Sequence, residues 1–154
     1  MRTFIFAALF VAFPAGPFAE PLAWEKYTVP ETGATVDLPA SIFSKDVGET
    51  HQGHGHRFMT RDGRATLTVQ SIANVAHESP AAFLAKKHTP SKIVYKRITA
   101  RFFVVSSFRG DLIWYDRCNF AGRFINCLMV NYPASEKRQW DRIITRISNT
   151  FASR

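Results

Sequence analysis

Residues 57–71 have the sequence RFMTRDGRATLTVQS, in which two runs of alternating apolar and polar side chains flank Asp62-Gly63. Asp-Gly between two such runs is the strongest short-range signal for a β-hairpin. A two-residue loop at Asp62-Gly63 would place Phe58 opposite Leu67. One face of the pair would then carry the apolar side chains of Phe58, Ala65, Leu67 and Val69. The alternation therefore predicts an antiparallel sheet with one buried face.

Further strand signals lie on both sides of this hairpin. Residues 26–29 and 35–38 are strand candidates around a turn at residues 30–33, and residues 41–52 are expected to be irregular. Downstream, four runs rich in β-branched and aromatic residues predict a four-stranded meander with turns at Gly110 and Gly122. These runs cover residues 92–99, 101–108, 111–119 and 124–131.

Two segments are predicted to be helical. Ser79-Pro80 has the residues of a helix start, and that helix should end at about His88, before Pro90. Ser135 is predicted to cap a final helix, on which apolar residues at helical spacing form one stripe and arginines another. The apolar stripe is Trp140, Ile143, Ile144, Ile147 and Phe151, and the solvated one is Arg138, Arg142 and Arg146. The order of elements predicts an α+β fold, an antiparallel β-sheet meander with two helices packed on it.

The second half of the meander predicts a disulfide. Gly122-Arg123 suits a two-residue type II′ turn, and in that register Cys118 faces Cys127. Facing residues in an antiparallel pair are close enough for a disulfide. A loop at Ala121-Gly122 would instead place the two cysteines two residues out of register, and two buried free thiols are the other alternative.

The first 19 residues have the order of a secretory signal peptide. Arg2 supplies a positive charge, residues 3–13 are almost wholly apolar, and Ala19 offers a cleavage site after a Pro- and Gly-containing break. Cleavage after Ala23 is the alternative. We therefore expect a single domain over residues 20–154, periplasmic or secreted, with no transmembrane segment in the mature form.

Charge is distributed unevenly along the mature chain. Residues 20–78 contain five Lys or Arg and eight Asp or Glu, a net charge of −3. Residues 79–154 contain 14 Lys or Arg and four Asp or Glu, a net charge of +10. No acidic residue lies between Glu78 and Asp111. This asymmetry predicts a basic patch for an anionic or protein partner in the cell envelope, although a basic surface without a partner is the alternative. The predicted patch consists of Lys86, Lys87, Lys92, Lys96, Arg97 and Arg101.

Three histidines lie close together in a glycine-containing segment. His51, His54 and His56 could bind Zn or Cu, which gives a periplasmic metal-binding protein as the alternative function. The other interpretation is a flexible loop entering a strand, because the hairpin register places His56 opposite Val69 at the edge of the core. Apart from this possible metal, no cofactor is expected.

We find no catalytic motif. The sequence has no G-x-S-x-G elbow, no glycine-rich phosphate loop and no C-x-x-C pair. We therefore expect a protein that is not an enzyme, with an unrecognised hydrolase as a further alternative. Nucleic acid is not expected as a partner of an exported protein.

The mature chain resembles the PsbP-like α/β family, especially its small exported bacterial branch. The resemblance is carried by residues 27–39, 58–69, 95–97, 102–107, 115–118 and 131–133, and by the last helix closing on Phe151. These are fold markers, so the resemblance implies a binding or accessory scaffold and assigns no functional residue.

Overall fold

The computed structural model describes residues 22–87 and 92–153. The predicted signal peptide, its cleavage site after Ala19 and the predicted helix end at His88 lie outside the described residues. The described chain forms two antiparallel sheets and two α-helices. This agrees with the predicted α+β class.

The smaller sheet is a hairpin of strands β1 (Trp24–Thr28) and β2 (Thr35–Pro39). Its turn is closed by the Gly33 N–H, which donates to the Val29 carbonyl at 2.8 Å. Gly33 has φ +71°, a left-handed conformation that glycine adopts without a steric penalty. The two strands predicted for this segment are therefore confirmed.

The larger sheet has seven strands. In chain order they are β3 (Lys45–Glu49), β4 (His54–Met59), β5 (Thr66–Ala73), β6 (Lys92–Ile98), β7 (Phe102–Arg109), β8 (Leu112–Ala121) and β9 (Phe124–Pro133). Their order across the sheet is β3-β4-β5-β9-β8-β7-β6, and every pair is antiparallel. The predicted four-stranded meander, β6 to β9, is thus one half of the sheet. It joins the other half through β5 and β9.

The hairpin of β4 and β5 has the predicted register but a longer loop. Phe58 lies opposite Leu67, as expected. The closing hydrogen bond runs from the Thr60 N–H to the Ala65 carbonyl at 3.0 Å, so the loop has four residues and the predicted two-residue loop is wrong. Asp62 does not adopt the positive φ that a type I′ turn requires. Its carboxylate instead accepts hydrogen bonds from the Thr60 hydroxyl and the Arg64 N–H.

The segment predicted to be irregular contains β3. This strand pairs with β4, and its register shifts at Val47 between Asp46 and Gly48. The bulge breaks the two-residue alternation, and four of the five residues of β3 are exposed. An edge strand of this kind has no buried face to leave a pattern in the sequence.

Helix α1 (Pro80–Lys86) begins as predicted, because the Ser79 hydroxyl accepts a hydrogen bond from the Ala82 N–H at 3.2 Å. The predicted cap of the last helix is wrong. Ser135 lies inside a 3-10 turn, Ala134–Glu136, and α2 (Lys137–Thr150) follows with no side-chain cap. The chain leaves β9 directly into this turn, so no extended residue precedes α2 to act as its cap.

The large sheet buries a core on each face. On one face the main core joins the β1-β2 hairpin and α2 to the sheet through Val36, Leu67, Leu128, Trp140, Ile144 and Ile147. On the other face a smaller core packs α1 through Leu84, Phe103, Val105, Cys118, Ile125 and Cys127. The sheet therefore lies between helical layers, and among the strands of the described chain β3 and β6 are the outermost.

Candidate functional site

Strand β6 forms one edge of the large sheet. Among the described strands its only neighbour is β7, and all seven of its residues are exposed. Three of them are cationic, Lys92, Lys96 and Arg97. An edge strand presents unpaired N–H and C=O groups along its outer side. This edge therefore combines free backbone groups with positive charge.

A bulge at Val94 decides which way the side chains of β6 point. Ile93 pairs with Ser107 and Tyr95 pairs with Ser106, so Val94 is the extra residue. From Tyr95 to Ile98 the register is regular. Lys96 lies opposite Val105 on the α1 face, and Arg97 lies opposite Val104 on the α2 face. Cations consequently lie on both faces of the same edge.

Aromatic rings of β7 lie beside two of these cations. Lys92 Nζ is 5.6 Å from the centre of the Phe108 ring, and the Arg97 guanidinium is 5.5 Å from that of Phe102. A cation over an aromatic face is attracted by the ring quadrupole without being neutralised. The rings therefore orient the two cations and leave their charge available.

The positive charge continues beyond β6. Arg101 is exposed in the turn to β7, and its N–H donates to the Thr99 hydroxyl at 3.2 Å. With Lys92, Lys96 and Arg97 it completes a set that we call the β6 basic edge. None of the four makes an ion pair with a carboxylate of residues 22–87 or 92–153.

Arg117 was not predicted as part of the basic surface. It lies on β8 opposite Val104, the residue that Arg97 faces from the other side, and its guanidinium is 5.3 Å from the Phe102 ring. It also donates to the Ser148 carbonyl at 2.7 Å. The register of three strands brings Arg117 to the same Phe102 ring as Arg97, so the sequence around it carried no signal.

Two lysines of the predicted patch have carboxylate partners. Lys86 pairs with Glu78, and Lys87 Nζ lies 3.9 Å from a carboxylate oxygen of Asp116. Burial raises the pKa of the Asp116 carboxyl, and the positive charge of Lys87 opposes that shift in part. These contacts reduce the free positive charge next to α1. The β6 basic edge is therefore smaller than the patch that the sequence predicts.

The three histidines have different surroundings. His56 Nδ1 lies 2.8 Å from a carboxylate oxygen of Asp46, and His54 Nδ1 lies 3.7 Å from one of Glu31. His56 lies opposite Val69 and packs near Tyr27, with ring centres 6.0 Å apart, as expected at the edge of the core. His51 is exposed in the turn before β4.

A cavity of about 230 Å³ lies beside His54 and His56 and is also lined by Tyr27, Glu31 and Glu49. His51 is not among its lining residues. In the described part of the chain, no three His, Cys, Asp or Glu side chains are grouped so that they could hold a metal ion. The structure thus does not bring His51, His54 and His56 together, and metal binding stays a prediction.

The predicted disulfide is present between Cys118 and Cys127. The two residues are directly opposite in the β8–β9 register, as are Phe120 and Ile125. Gly122 has φ +57° and Arg123 does not have a positive φ, which is the pattern of a type II′ turn. A glycine in the first position of a two-residue turn therefore sets the register that aligns the cysteines.

The arrangement of this sheet and its helical layers defines the fold of the PsbP-like proteins. A solved structure with this fold is the solution structure of cyanobacterial PsbP (CyanoP) from Synechocystis sp. PCC 6803. The TM-score is 0.64, the match covers 94% of this chain and 99% of that one, and the sequence identity is 6%. At this identity the likeness establishes the fold alone, and it confirms the resemblance at that level.

Neither sequence comparison adds a function. No family model matches the chain, and no curated protein matches it. In the residues that the structure describes, no helix has the length and apolar character needed to cross a membrane.

Proposed function

We propose that this chain is an exported, non-catalytic binding protein that holds an anionic partner on the β6 basic edge. The observation that carries the proposal is that Lys92, Lys96, Arg97 and Arg101 are exposed together without a carboxylate partner in the described chain. Cations gathered along one strand edge create a positive potential that attracts an anionic partner.

The chemistry of the edge supports binding over catalysis. Its exposed side chains are cations, the phenol of Tyr95 and the apolar groups of Ile93, Val94 and Ile98. Cations orient and attract an anion, and exposed apolar groups add contact area. Such a set suits the recognition of a surface.

Export is supported by the signal-like order of residues 1–19 and by the Cys118–Cys127 disulfide, because disulfides persist mainly in oxidising compartments. Mass analysis of the protein from the periplasm is expected to give Glu20 as the first residue, with Trp24 as the alternative. An intact Met1 in that fraction would contradict export.

Heparin, a polyanion, is the probe for the binding site. We expect the purified exported protein to bind heparin and to elute with salt, because screening acts over about 8 Å at physiological ionic strength. The double variant Lys96→Glu with Arg97→Glu should bind about tenfold more weakly, since each exposed charge pair contributes up to about 1 kcal/mol.

The matched control is Arg138→Glu with Arg142→Glu, two exposed arginines on α2. It changes the net charge by the same amount at a different surface. A much smaller loss of heparin binding is expected for it. Equal losses in both double variants would show that binding follows net charge, and the proposal of a site on β6 would be wrong.

A further inference from the structure

We infer that the partner of the β6 basic edge is an acidic, extended protein segment that adds to the large sheet as an eighth strand next to β6. This inference rests on the proposed function and names its partner. It follows from three features of β6: its open backbone, its charge and the distribution of its apolar side chains.

Within residues 22–87 and 92–153, no strand pairs with the outer side of β6. β7 occupies one side of the strand. In an antiparallel edge strand, the N–H and C=O groups of every second residue point to the other side. The bulge at Val94 interrupts the ladder, but Tyr95 to Ile98 pair with β7 without a shift. These four residues give a regular ladder on which an added strand can form hydrogen bonds.

The charge of the edge selects the partner. In a two-fold antiparallel pair of two β6 strands, either Lys96 or Arg97 would face the same residue of the second copy, and facing like charges cost free energy. An acidic segment would instead place carboxylates opposite these cations. The charge therefore disfavours pairing of the protein with itself through β6 and favours an acidic strand from another protein.

The side chains flanking the edge specify more than charge. Tyr95 and Arg97 lie on the α2 face, and Lys96 and Ile98 lie on the α1 face. Each face thus presents one cation and one exposed apolar or aromatic group. Cross-strand neighbours interact face by face, so the fitting segment carries an acidic and an apolar side chain on each of its faces.

The peptide Glu-Glu-Val-Val-Glu-Glu-Val has this distribution and is the probe. We expect it to bind the exported protein and to protect outward amide protons of residues 95–98 from hydrogen exchange. N-methylation of alternate residues, chosen to block the N–H groups that face β6, should weaken binding roughly tenfold, because each lost backbone hydrogen bond weakens the complex. Methylation in the opposite phase leaves those groups free and is the matched control.

Two outcomes separate this inference from the proposed function. If Lys96→Glu with Arg97→Glu abolishes peptide binding but both methylated peptides bind like the parent, the basic edge binds anions without strand addition and only the inference is wrong. If that double variant alters neither heparin nor peptide binding, the proposed function fails as well. Binding that depends on both the charges and one phase of methylation supports the added strand.

Discussion

The two edge strands of the large sheet, β3 and β6, both contain a β-bulge, but their charged residues differ. β3 and β6 each contain one bulge, and the extra residue is an exposed valine in both, Val47 at 48% and Val94 at 53%. A bulge twists an edge away from regular pairing and limits aggregation. Since both edges have this protection, it does not explain why one of them also has unpaired cations.

Two of the three charged groups of β3, those of Lys45 and Asp46, are used within the fold. Asp46 accepts hydrogen bonds from the Gly48 N–H at 2.8 Å and contacts His56, and Lys45 Nζ donates to the Arg61 carbonyl at 2.6 Å. By contrast, none of the cations of the β6 basic edge makes an ion pair with a carboxylate of the described chain. The difference supports the proposal that β6 is the binding edge of the sheet.

A substitution in β4, the strand that pairs with β3, should have the largest effect on the free energy of unfolding. Gly55 on β4 has φ +121°, and a Cβ there would overlap the Val69 carbonyl oxygen. Gly55→Ala should therefore lower the free energy of unfolding by about 3 kcal/mol or more. Gly48→Ala, where φ is +100° but space is open, is the control and should cost about 1 kcal/mol. Urea unfolding measures both, and equal losses would mean that the backbone overlap does not matter.

Removing the disulfide tests how much the link between β8 and β9, two inner strands of the sheet, stabilises the fold. Replacing Cys118 and Cys127 together by serine opens a link of sequence separation 9. A disulfide that closes such a short loop should contribute about 2 kcal/mol to the free energy of unfolding. Heparin binding of the folded variant should not change, because β6 is untouched. An unchanged urea midpoint would contradict the stabilising role.

A pH titration should reveal a small contribution of Asp46 to the β3 edge. Burial raises the pKa of Asp46, but hydrogen bonds from Gly48 and His56 and the charge of His56 leave it below the usual 3.8. A folded pKa that is lowered gives stability that is present above the unfolded pKa and is lost as pH falls through the folded value. Asp46 is half exposed, so the contribution should stay below about 1 kcal/mol.

The measurement is the difference in unfolding free energy between the unmodified protein and Asp46→Asn, recorded from pH 6 to pH 2.5. The difference should shrink towards low pH. Glu49→Gln on the same strand is the control and should show no such trend, because no ion pair of the described chain includes Glu49. A trend of equal size in both variants would assign the effect to net charge.

The smallest effect on stability is expected at β6. Lys96→Ser should change the free energy of unfolding by less than about 0.5 kcal/mol, because an exposed side chain without a partner contributes little. Lys45→Ser, which removes the bond to the Arg61 carbonyl, should cost more. A large loss at β6 would show that its cations serve folding, and the contrast between the edges would disappear.

Local signals explain what could be predicted from the sequence. The register around Asp62-Gly63 and the alignment of Cys118 with Cys127 were both correct, because alternation and a turn within a few residues specify a hairpin. β3 could not be predicted, since an exposed edge strand with a bulge has no alternating pattern. The pairing of β5 with β9 was also absent from the local signals, because it joins distant segments.

The candidate site shows the same limit. The run of cations in β6 is visible in the sequence, and the structure places it on an exposed strand. Which cations are neutralised was not visible, because Lys87 meets Asp116 from a different element. Arg117 was missed for the corresponding reason, as strand register brings it to the Phe102 ring that Arg97 also contacts. Local sequence thus predicts the type of surface, and tertiary contacts decide its extent.

The pairing of β5 with β9 has a consequence for the order of folding. The strands β3 to β5 and the strands β6 to β9 each follow one another along the chain, so each half of the sheet can form from local contacts. The side-chain hydrogen bonds that join β5 to β9 span 55 positions of sequence between Ser71 and Asn126, and 65 positions between Thr66 and Asn131. Contacts between distant residues form slowly, since a long loop must close first. We therefore expect the last slow step of folding to be the docking of two preformed half-sheets, during which both future central strands are transiently open edges.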